Sequence, residues 1–291
     1  MNNHQNSQPW PSESSLLGLL DDDSDVIRNA LKSLFKQHVD KAQVFLNKVS
    51  KGNSLTAKHA KVLQESMGWT NGKETFLHFI RSQRYELESG WLLLDKTVFP
   101  SFDSAVTSLA LDALADRARQ LIVSPMDVRQ QCYVINRVLF HENSFRGAGK
   151  DFENPDNSFI HKVVESKKGL PITLSLIYIL VARRIGLELD PIGLPGRFMV
   201  GCFLEKVPFY IDVWAGGRFI ELDDMNSYLG LSVDECSGSL LLPVTIAETL
   251  ARGCRNLAHH YSIKGKHEEA LMFRDFVTEF EKTLKSEPNA S

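Results

Sequence analysis

A long apolar run covers residues 170–182, where one Thr, one Ser and one Tyr hydroxyl are the only polar side-chain groups. A helix that is apolar on every face has to be surrounded by protein or lipid. About 20 apolar residues are needed to cross a bilayer, and Arg183 ends this run well before that length. The pattern therefore predicts a buried core helix that starts near Pro171 and ends near Gly186, because proline suits a first turn and glycine suits a cap.

The sequence that follows this helix, over residues 190–204 and 208–222, is rich in Val, Ile, Phe, Tyr and Trp. This composition predicts two or three short strands, with Gly216-Gly217 as a tight hairpin turn. Side chains alternate along a strand, so Asp212 and Trp214 should lie on one face. A buried helix that leads into an antiparallel sheet is typical of the α+β class, here with a mostly helical chain.

Apolar residues recur at spacings of three and four through most of the N-terminal half, which predicts helices. Two short helices flank the acidic turn at residues 21–25, and four helical segments follow at residues 39–49, 55–69, 73–98 and 101–123. The last segment carries a predicted buried stripe of Phe102, Val106, Leu109, Leu114 and Leu121. A further helix is expected at residues 125–145, with an inward face of Val128, Cys132, Ile135, Val138 and Leu139.

Four strings, "NPDNS", "GLPITLS", "GLPGRF" and "IDVWAGG", occur in this order between residues 154 and 217. In combination they resemble the SirB-type transglutaminase-like family of bacteria, and a eukaryotic F-box protein carries a similar domain. The resemblance covers residues 75–284. It implies a papain-like or transglutaminase-like core, made of a buried central helix and a small antiparallel sheet, with helical segments on both flanks.

The resemblance also implies where a Cys-His-Asp triad would lie. In the wider superfamily the Cys begins the central helix and the His and Asp lie on the next two strands, so that the His raises the thiolate population and the Asp orients the His. Here these positions are Pro171, Arg197 and Asp212. Proline has no nucleophilic atom, and an arginine with a pKa above about 12 cannot act as a general base. A thiol-dependent reaction is therefore not expected.

The two charged triad positions suggest a structural hypothesis. If Arg197 and Asp212 lie on neighbouring strands, a guanidinium-carboxylate pair would satisfy both charges. Losing one partner of a truly buried pair would cost about 3 to 5 kcal/mol. The alternative is that Arg197 points to solvent and Asp212 caps a turn.

Further candidate cleft residues are Asn154, Asn157, Thr173, Ser175 and Trp214. The loop at residues 146–157 is expected to cross the mouth of the cleft, and Asn157 or Ser158 to cap the following helix. Thr173 or Ser175, acting with Asp212, would serve an alternative function, an amide-bond hydrolase or acyl-transfer enzyme with a non-standard nucleophile. The two lie two positions apart on a helix, so only one can face the cleft.

Composition excludes several classes of function. The net charge is −3 over 291 residues and no run of Lys or Arg forms a stripe, so no nucleic-acid partner is expected. The four cysteines, Cys132, Cys202, Cys236 and Cys254, lack the spacing of a zinc site or disulfide framework. Cys202 as a displaced nucleophile is disfavoured, because a strand core does not activate a thiol.

The sequence also lacks the motifs of metal sites, phosphate-binding loops and export signals. No His-acid pair completes a metal motif and no Gly-rich phosphate loop precedes a helix, so no metal or cofactor is expected. The N-terminus lacks the basic and apolar regions of a signal peptide, and no membrane segment is present, which favours a cytoplasmic location in a bacterium.

The predicted organisation has five parts. A disordered tail (1–14) precedes a HEAT-like helical segment (15–71), the transglutaminase-like domain (72–243), a tetratricopeptide-like helical hairpin (244–285) and a final tail (286–291). Because the hairpin amounts to about one repeat, its apolar face should dock on the main domain. The favoured function is a catalytically inactive scaffold or regulatory module that binds unknown protein partners.

Overall fold

A computed structural model describes residues 9–67, 69, 72–230 and 238–285. Within it the chain divides into two compact units. The first comprises Met1–Thr75 and Lys96–Phe102, and the second comprises Phe76–Asp95 and Asp103–Ser291. The expected boundary at residue 71 falls close to the end of the first stretch, although Asn71 itself lies outside the described residues.

The first unit is helical. Its helices are α1 (Glu13–Leu20), α2 (Asp25–Gln37), α3 (Val39–Val49), α4 (Leu55–Ser66) and the start of α5 (Gly72–Ser82). Their apolar faces form one core that includes Leu16, Phe35 and Leu46. The predicted tail is too long at its C-terminal end, because the Ser12 hydroxyl accepts from the Ser15 amide and starts α1 at Glu13. Residues 1–8 of that tail and residues 286–291 of the other lie outside the described part of the chain.

The second unit contains most of the remaining helices and all the described strands. The helices are the rest of α5, then α6 (Leu87–Lys96), α7 (Ser104–Leu121), α8 (Val128–Asn136), α9 (Ile160–Ser166), α10 (Pro171–Arg184), α11 (Met225–Leu229), α12 (Ile246–Ile263) and α13 (His267–Lys285). A π-helical turn, Arg137–Glu142, continues α8. Short 3₁₀ turns cover Gly149–Asp151, Pro155–Ser158, Leu222–Asp224 and Gly238–Leu241.

The central helix α10 is the core element that its sequence predicts. Every residue from Ile172 to Ala182 is buried. Helices α7, α8 and α9 pack around it together with strands β3 (Asp190–Leu194) and β4 (Arg197–Cys202). Its one buried phenol is satisfied, since the Tyr178 hydroxyl donates to the Cys132 carbonyl at 2.9 Å. The predicted mostly helical α+β class is confirmed.

The main sheet is antiparallel throughout, in the order β3-β4-β5-β6, with β5 at Phe209–Asp212 and β6 at Arg218–Glu221. It therefore has four strands, where the composition predicted two or three. The extra turn is Pro195-Gly196, which separates β3 from β4 with Leu194 opposite Arg197. Gly196 has a φ of 67°, which a two-residue loop of this kind requires. A separate parallel pair joins β1 (Arg146–Gly147) to β2 (Lys168–Gly169).

Helix α7 buries a different face from the one predicted. Val106 and Leu109 are 63% and 66% exposed. The buried residues are Thr107, Leu111, Leu114, Ala115 and Ala118. Small residues mark this face because α7 packs against α10 and α9. The prediction relied on large apolar residues, so it included the exposed Val106 and Leu109 beside the buried Leu114.

The segment at residues 73–98 is two helices rather than one, because the chain breaks at Gln83, whose φ is 55°. The predicted cap of α9 is also wrong. Asn154, not Asn157, accepts from the Asp156 amide and starts the 3₁₀ turn. The first amides of α9 are instead satisfied by the buried Asp95 carboxylate, which accepts from the amides of Ile160 (3.2 Å) and His161 (2.9 Å). Because Asp95 lies on α6, the residues around the start of α9 do not reveal this cap.

The C-terminal helices α12 and α13 pack along each other and belong to the second unit. A capping box starts α12, with Thr245 and Glu248 each accepting from the other's amide. The apolar face of α13 is buried within that unit, where Phe276 contacts Phe76 with ring centroids 4.9 Å apart. The hairpin thus docks as expected.

Candidate functional site

A cavity of about 310 Å³ lies in the second unit, where the start of α10 meets the ends of β4 and β5. The three positions implied by the family resemblance, Pro171, Arg197 and Asp212, all line it. The other lining residues are Phe152, Gly196, Phe198, Trp214, Ala215 and Tyr228. Four of these nine side chains are aromatic, so the cavity combines an aromatic wall with one cation and one anion.

Asp212 ends β5 and is held by hydrogen bonds from two directions. The Tyr228 hydroxyl donates to its Oδ2 at 2.6 Å, and the Ala215 amide donates to its Oδ1 at 3.0 Å. The second bond caps the turn that leads to β6. Burial and the neighbouring carboxylate raise the pKa of Tyr228, so its hydroxyl stays protonated and remains a donor.

Arg197 lies at the mouth of the cavity, with its side chain 45% exposed. Its Nη1 is 3.9 Å from Asp212 Oδ2, which is an ion pair but is too long for a hydrogen bond. Its guanidinium instead lies over the Tyr228 ring, 5.1 Å from the centroid. Arg197 and Asp212 therefore lie on neighbouring strands and form the hypothesised ion pair, although only Asp212 is buried. The hydrogen bonds to Asp212 come instead from a turn amide and a tyrosine, as the cap alternative supposed.

Pro171 occupies the first turn of α10, at the position that the family resemblance assigns to a thiol. The chain before it is fixed, since the Leu170 amide donates to the Asn157 carbonyl at 3.1 Å. A helix N-terminus concentrates partial positive charge, and α10 directs that end at the cavity. This charge would assist a thiolate, but proline provides none.

Trp214 and Phe152 form one wall, with ring centroids 5.6 Å apart in an edge-on arrangement. The indole lies against the backbone of β1, where a Cβ on Gly147 would come within 2.7 Å of it. Glycine is thus required at position 147 for the strand and the ring to approach.

The other predicted cleft residues do not line the cavity. Thr173 and Ser175 are fully buried inside α10, and neither hydroxyl has a hydrogen-bond partner among the described residues. The prediction that one of them faces the cleft is therefore wrong, because every face of α10 is covered. Asn154 and Asn157 serve the adjacent loop, where the side-chain amides donate to the Asp151 carboxylate and carbonyl.

The three described cysteines, Cys132, Cys202 and Cys254, are free and buried. Burial raises the pKa of each, to about 12 for Cys132. None lines the cavity. Cys236 lies outside the described residues.

Sequence inspection missed two residues that shape the site. Tyr228 follows the sheet by a short helix, and nothing in "NSYL" indicates a contact with Asp212. Arg252 on α12 donates from Nη2 to the carbonyls of Leu194 (2.6 Å) and Arg197 (2.7 Å), and so clamps the turn that carries Arg197. Neither the Pro195-Gly196 turn nor its distant clamp was predicted from the sequence.

Among the residues that the structure describes, no group of three or more His, Cys, Asp or Glu side chains is arranged to hold a metal ion. No helix in this part of the chain has the length and apolar character to cross a bilayer.

A buried helix whose N-terminus meets two strands at an open cavity defines the class, a mostly helical α+β protein. The sequence model of the Transglutaminase-like superfamily matches residues 106–255, which include this helix, sheet and cavity. The chain therefore belongs to the transglutaminase-like superfamily.

Curated relatives agree with this assignment. A UPF0162 protein of Xylella fastidiosa (strain 9a5c) is 26% identical over 210 residues, which cover 70% of this chain and 74% of the relative. A UPF0162 protein of Vibrio cholerae is 25% identical over 141 residues, 48% of each chain. F-box only protein 21 of Mus musculus is 28% identical over 161 residues, 52% of this chain and 25% of that protein. No solved structure matches the chain.

Proposed function

We propose that this chain is a catalytically inactive transglutaminase-like protein that acts as an intracellular scaffold or regulatory protein-interaction module. The observation that supports the proposal is the lining of the cavity by Pro171 and Arg197, at the positions that the family resemblance assigns to a thiol and an imidazole. The remaining acid, Asp212, already accepts hydrogen bonds from Tyr228 and Ala215. Such a site retains a shaped, polar cavity that can bind, without a nucleophile or base that can react.

The flanking helices fit the same proposal. We interpret residues 15–71 as a HEAT-like segment and residues 244–285 as a tetratricopeptide-like hairpin, in a SirB-type protein of the bacterial cytoplasm. Single repeats need neighbouring elements to bury their apolar faces. The burial of Phe273 and Phe276 of α13 in the second unit supports this interpretation.

The proposal is tested first by an activity assay. Purified protein is incubated with a glutamine-containing peptide and a fluorescent primary amine, and separately with the peptide alone, to detect transamidation or hydrolysis. We expect rates equal to those without protein, and equal in the wild type and Asp212→Asn. Turnover that Asp212→Asn abolishes would overturn the proposal and favour the alternative, an enzyme with a non-standard nucleophile.

A binding experiment tests the interaction role. Tagged wild type, Arg197→Ala and Asp212→Ala capture partners from native cytosol, with circular dichroism to verify folding. Arg274→Ala, at an exposed arginine on α13, serves as the control for loss of one positive charge. Loss of the same partners in both cavity variants, but not in the control, would support a role for the cavity. Partners unchanged in all variants would contradict it.

A further inference from the structure

Two arginines share one tyrosine ring beside the cavity. The guanidinium carbons of Arg197 and Arg218 each lie 5.1 Å from the centroid of Tyr228. The two carbons are therefore within twice that distance of each other. Cation-π contacts hold both side chains in place although each residue is exposed.

The two arginines have one carboxylate partner between them within the described part of the chain. Asp212 is the one described carboxylate paired with either arginine, and both its oxygens already accept hydrogen bonds. Arg218 lies opposite Asp212 in the β5-β6 register but forms no ion pair within the described part of the chain. The whole chain carries a net charge of −3, so two arginines with one carboxylate between them are a local feature.

The arginines line two adjacent cavities. Arg197 lines the 310 Å³ cavity, and Arg218 lines a second cavity of about 730 Å³ that also includes Arg137 and His141. Ala215, in the turn between β5 and β6, lines both. Because Glu142 is shared between Arg137 and Arg117, the second cavity is also short of negative charge.

We propose that the two cavities bind an extended acidic segment of a partner protein, with one carboxylate on Arg197 and a second on Arg218. Guanidinium groups bind carboxylates through paired N–H donors, which fits this use of arginine. Residues i and i+2 of a strand lie about 7 Å apart on one face, within the separation that the shared Tyr228 ring allows. The methylene groups of a glutamate would pack against Trp214 and Phe152 in the smaller cavity. This inference rests on the proposed interaction function and specifies the partner's chemistry.

An acidic peptide suits the site better than a nucleic acid. Backbone binding to nucleic acid uses a row of cations and exposed aromatic faces for stacking. Here Tyr133 and Phe152 are exposed, but the cations do not form a row, because Arg197 and Arg218 share one ring and Arg137 is already paired with Glu142. Two guanidinium groups held on one ring beside a small aromatic cavity fit the charge and spacing of two carboxylates.

Side-chain NMR of ¹⁵N-labelled protein tests the inference. The probe is a capped pentapeptide, Gly-Glu-Leu-Glu-Gly, and its control is the uncharged Gly-Gln-Leu-Gln-Gly. The arginine Nε–Hε resonances of Arg197 and Arg218 are assigned with the variants Arg197→Gln and Arg218→Gln. We expect the glutamate peptide to shift both resonances and the glutamine peptide to shift neither. Each variant should weaken binding about tenfold, as should raising the salt from 50 to 500 mM.

Arg274→Gln, which removes the same charge from α13, should bind the peptide as the wild type does. Equal binding of the glutamine peptide, or wild-type affinity in the Arg197→Gln/Arg218→Gln double variant, would overturn the inference. So would a thymidine oligonucleotide that shifts these resonances more strongly and displaces the peptide. Turnover in the activity assay would remove the proposed function but leave the peptide result standing. Unselective peptide binding would remove the acidic-partner inference alone.

Discussion

Asp212 shows how a buried carboxylate can be stabilised without a histidine partner. Its side chain is 7% exposed, yet the nearest guanidinium nitrogen is 3.9 Å away. Hydrogen bonds from Tyr228 and the Ala215 amide provide the compensation that a buried charge requires. Since Arg197 is nearly half exposed, its loss should cost less than the 3 to 5 kcal/mol of a fully buried pair.

Tyr228→Phe should destabilise the protein by about 1 to 2 kcal/mol, because Asp212 Oδ2 loses its short donor while the ring remains. Urea denaturation followed by circular dichroism measures the change. Tyr133→Phe is the matched control, since that tyrosine is 56% exposed. Equal stability of the two variants would show that the Tyr228 hydroxyl contributes nothing to holding Asp212.

For single residues, the sequence predicted which positions line the cavity better than it predicted the side-chain contacts made there. Pro171, Arg197 and Asp212 could be located because each belongs to a recognisable string, and the structure brings all three to one cavity. Tyr228, 16 residues from Asp212, and Arg252, 55 residues from Arg197, could not, because both lie on helices outside the four motif strings.

Helix α12 contains a close approach that only glycine allows. A Cβ at Gly253 would lie 2.5 Å from the indole of Trp91. That indole is fully buried, and its N–H donates to the Ser158 carbonyl at 3.0 Å, so it has little freedom to move. The contact therefore fixes the distance between α12 and α6.

Gly253→Ala should destabilise the second unit by about 1 to 2 kcal/mol, since the cost of overpacking exceeds the gain of about 1 kcal/mol in helix propensity. Gly18→Ala should instead stabilise α1, because that glycine is helical with no atom within 4 Å of the added Cβ. Hydrogen exchange with peptide resolution should show weaker protection of α12 in the first variant and stronger protection of α1 in the second. Stronger protection of α12 in Gly253→Ala would contradict the close contact.

The π-helical turn after α8 is tied to α7 through Glu142. Hydrogen bonds from Arg117, and then from Arg137, lower the pKa of Glu142 from 4.5 to about 2. A lowered carboxylate pKa contributes stability above pH 4.5, and this contribution is lost as the pH falls towards 2. Glu142→Gln should therefore show a shallower loss of stability between pH 4.5 and 2.

Thermal unfolding at several pH values and low salt measures this dependence. The control is Glu165→Gln, at an exposed glutamate that contacts Lys162 within its own helix. A pH dependence in Glu142→Gln as steep as in the wild type would mean that the contacts with Arg117 and Arg137 do not form in solution.

Periodicity predicted elements well where one face is wholly apolar and poorly where packing uses small residues. Helix α10 is apolar on all faces, and its residues from Ile172 to Ala182 are all buried. In α7 the buried side is marked by Ala115 and Ala118, while Val106 and Leu109 face outward. The side-chain size that fits at a helix-helix contact depends on the neighbouring helix. The sequence of one helix alone therefore does not reveal it.

For the whole molecule, the inactive-site proposal has a direct chemical consequence. The described thiols of Cys132, Cys202 and Cys254 are buried with raised pKa values, so they should be unreactive in the folded protein. In a Cys236→Ser background, labelling by iodoacetamide at pH 8 should be at least about a hundredfold slower than in urea. A rapidly labelled thiol in the native state would favour a displaced nucleophile.

The first stretch of the first unit ends at Thr75, close to the break predicted at residue 71. Nothing in the sequence predicted that the short stretch Lys96–Phe102 would belong to the same unit. Contiguous boundaries can be inferred from composition, whereas a segment that returns to an earlier unit depends on tertiary contacts.

Gly147 offers a way to occlude the cavity without touching any residue inside it. Because its Cα faces the Trp214 indole, one added methyl group has to displace that ring, and the ring forms a wall of the cavity. We therefore expect Gly147→Ala to push the Trp214 ring into the cavity and reduce its volume. The hydrophobic wall that shapes the cleft depends on a side chain that position 147 does not have.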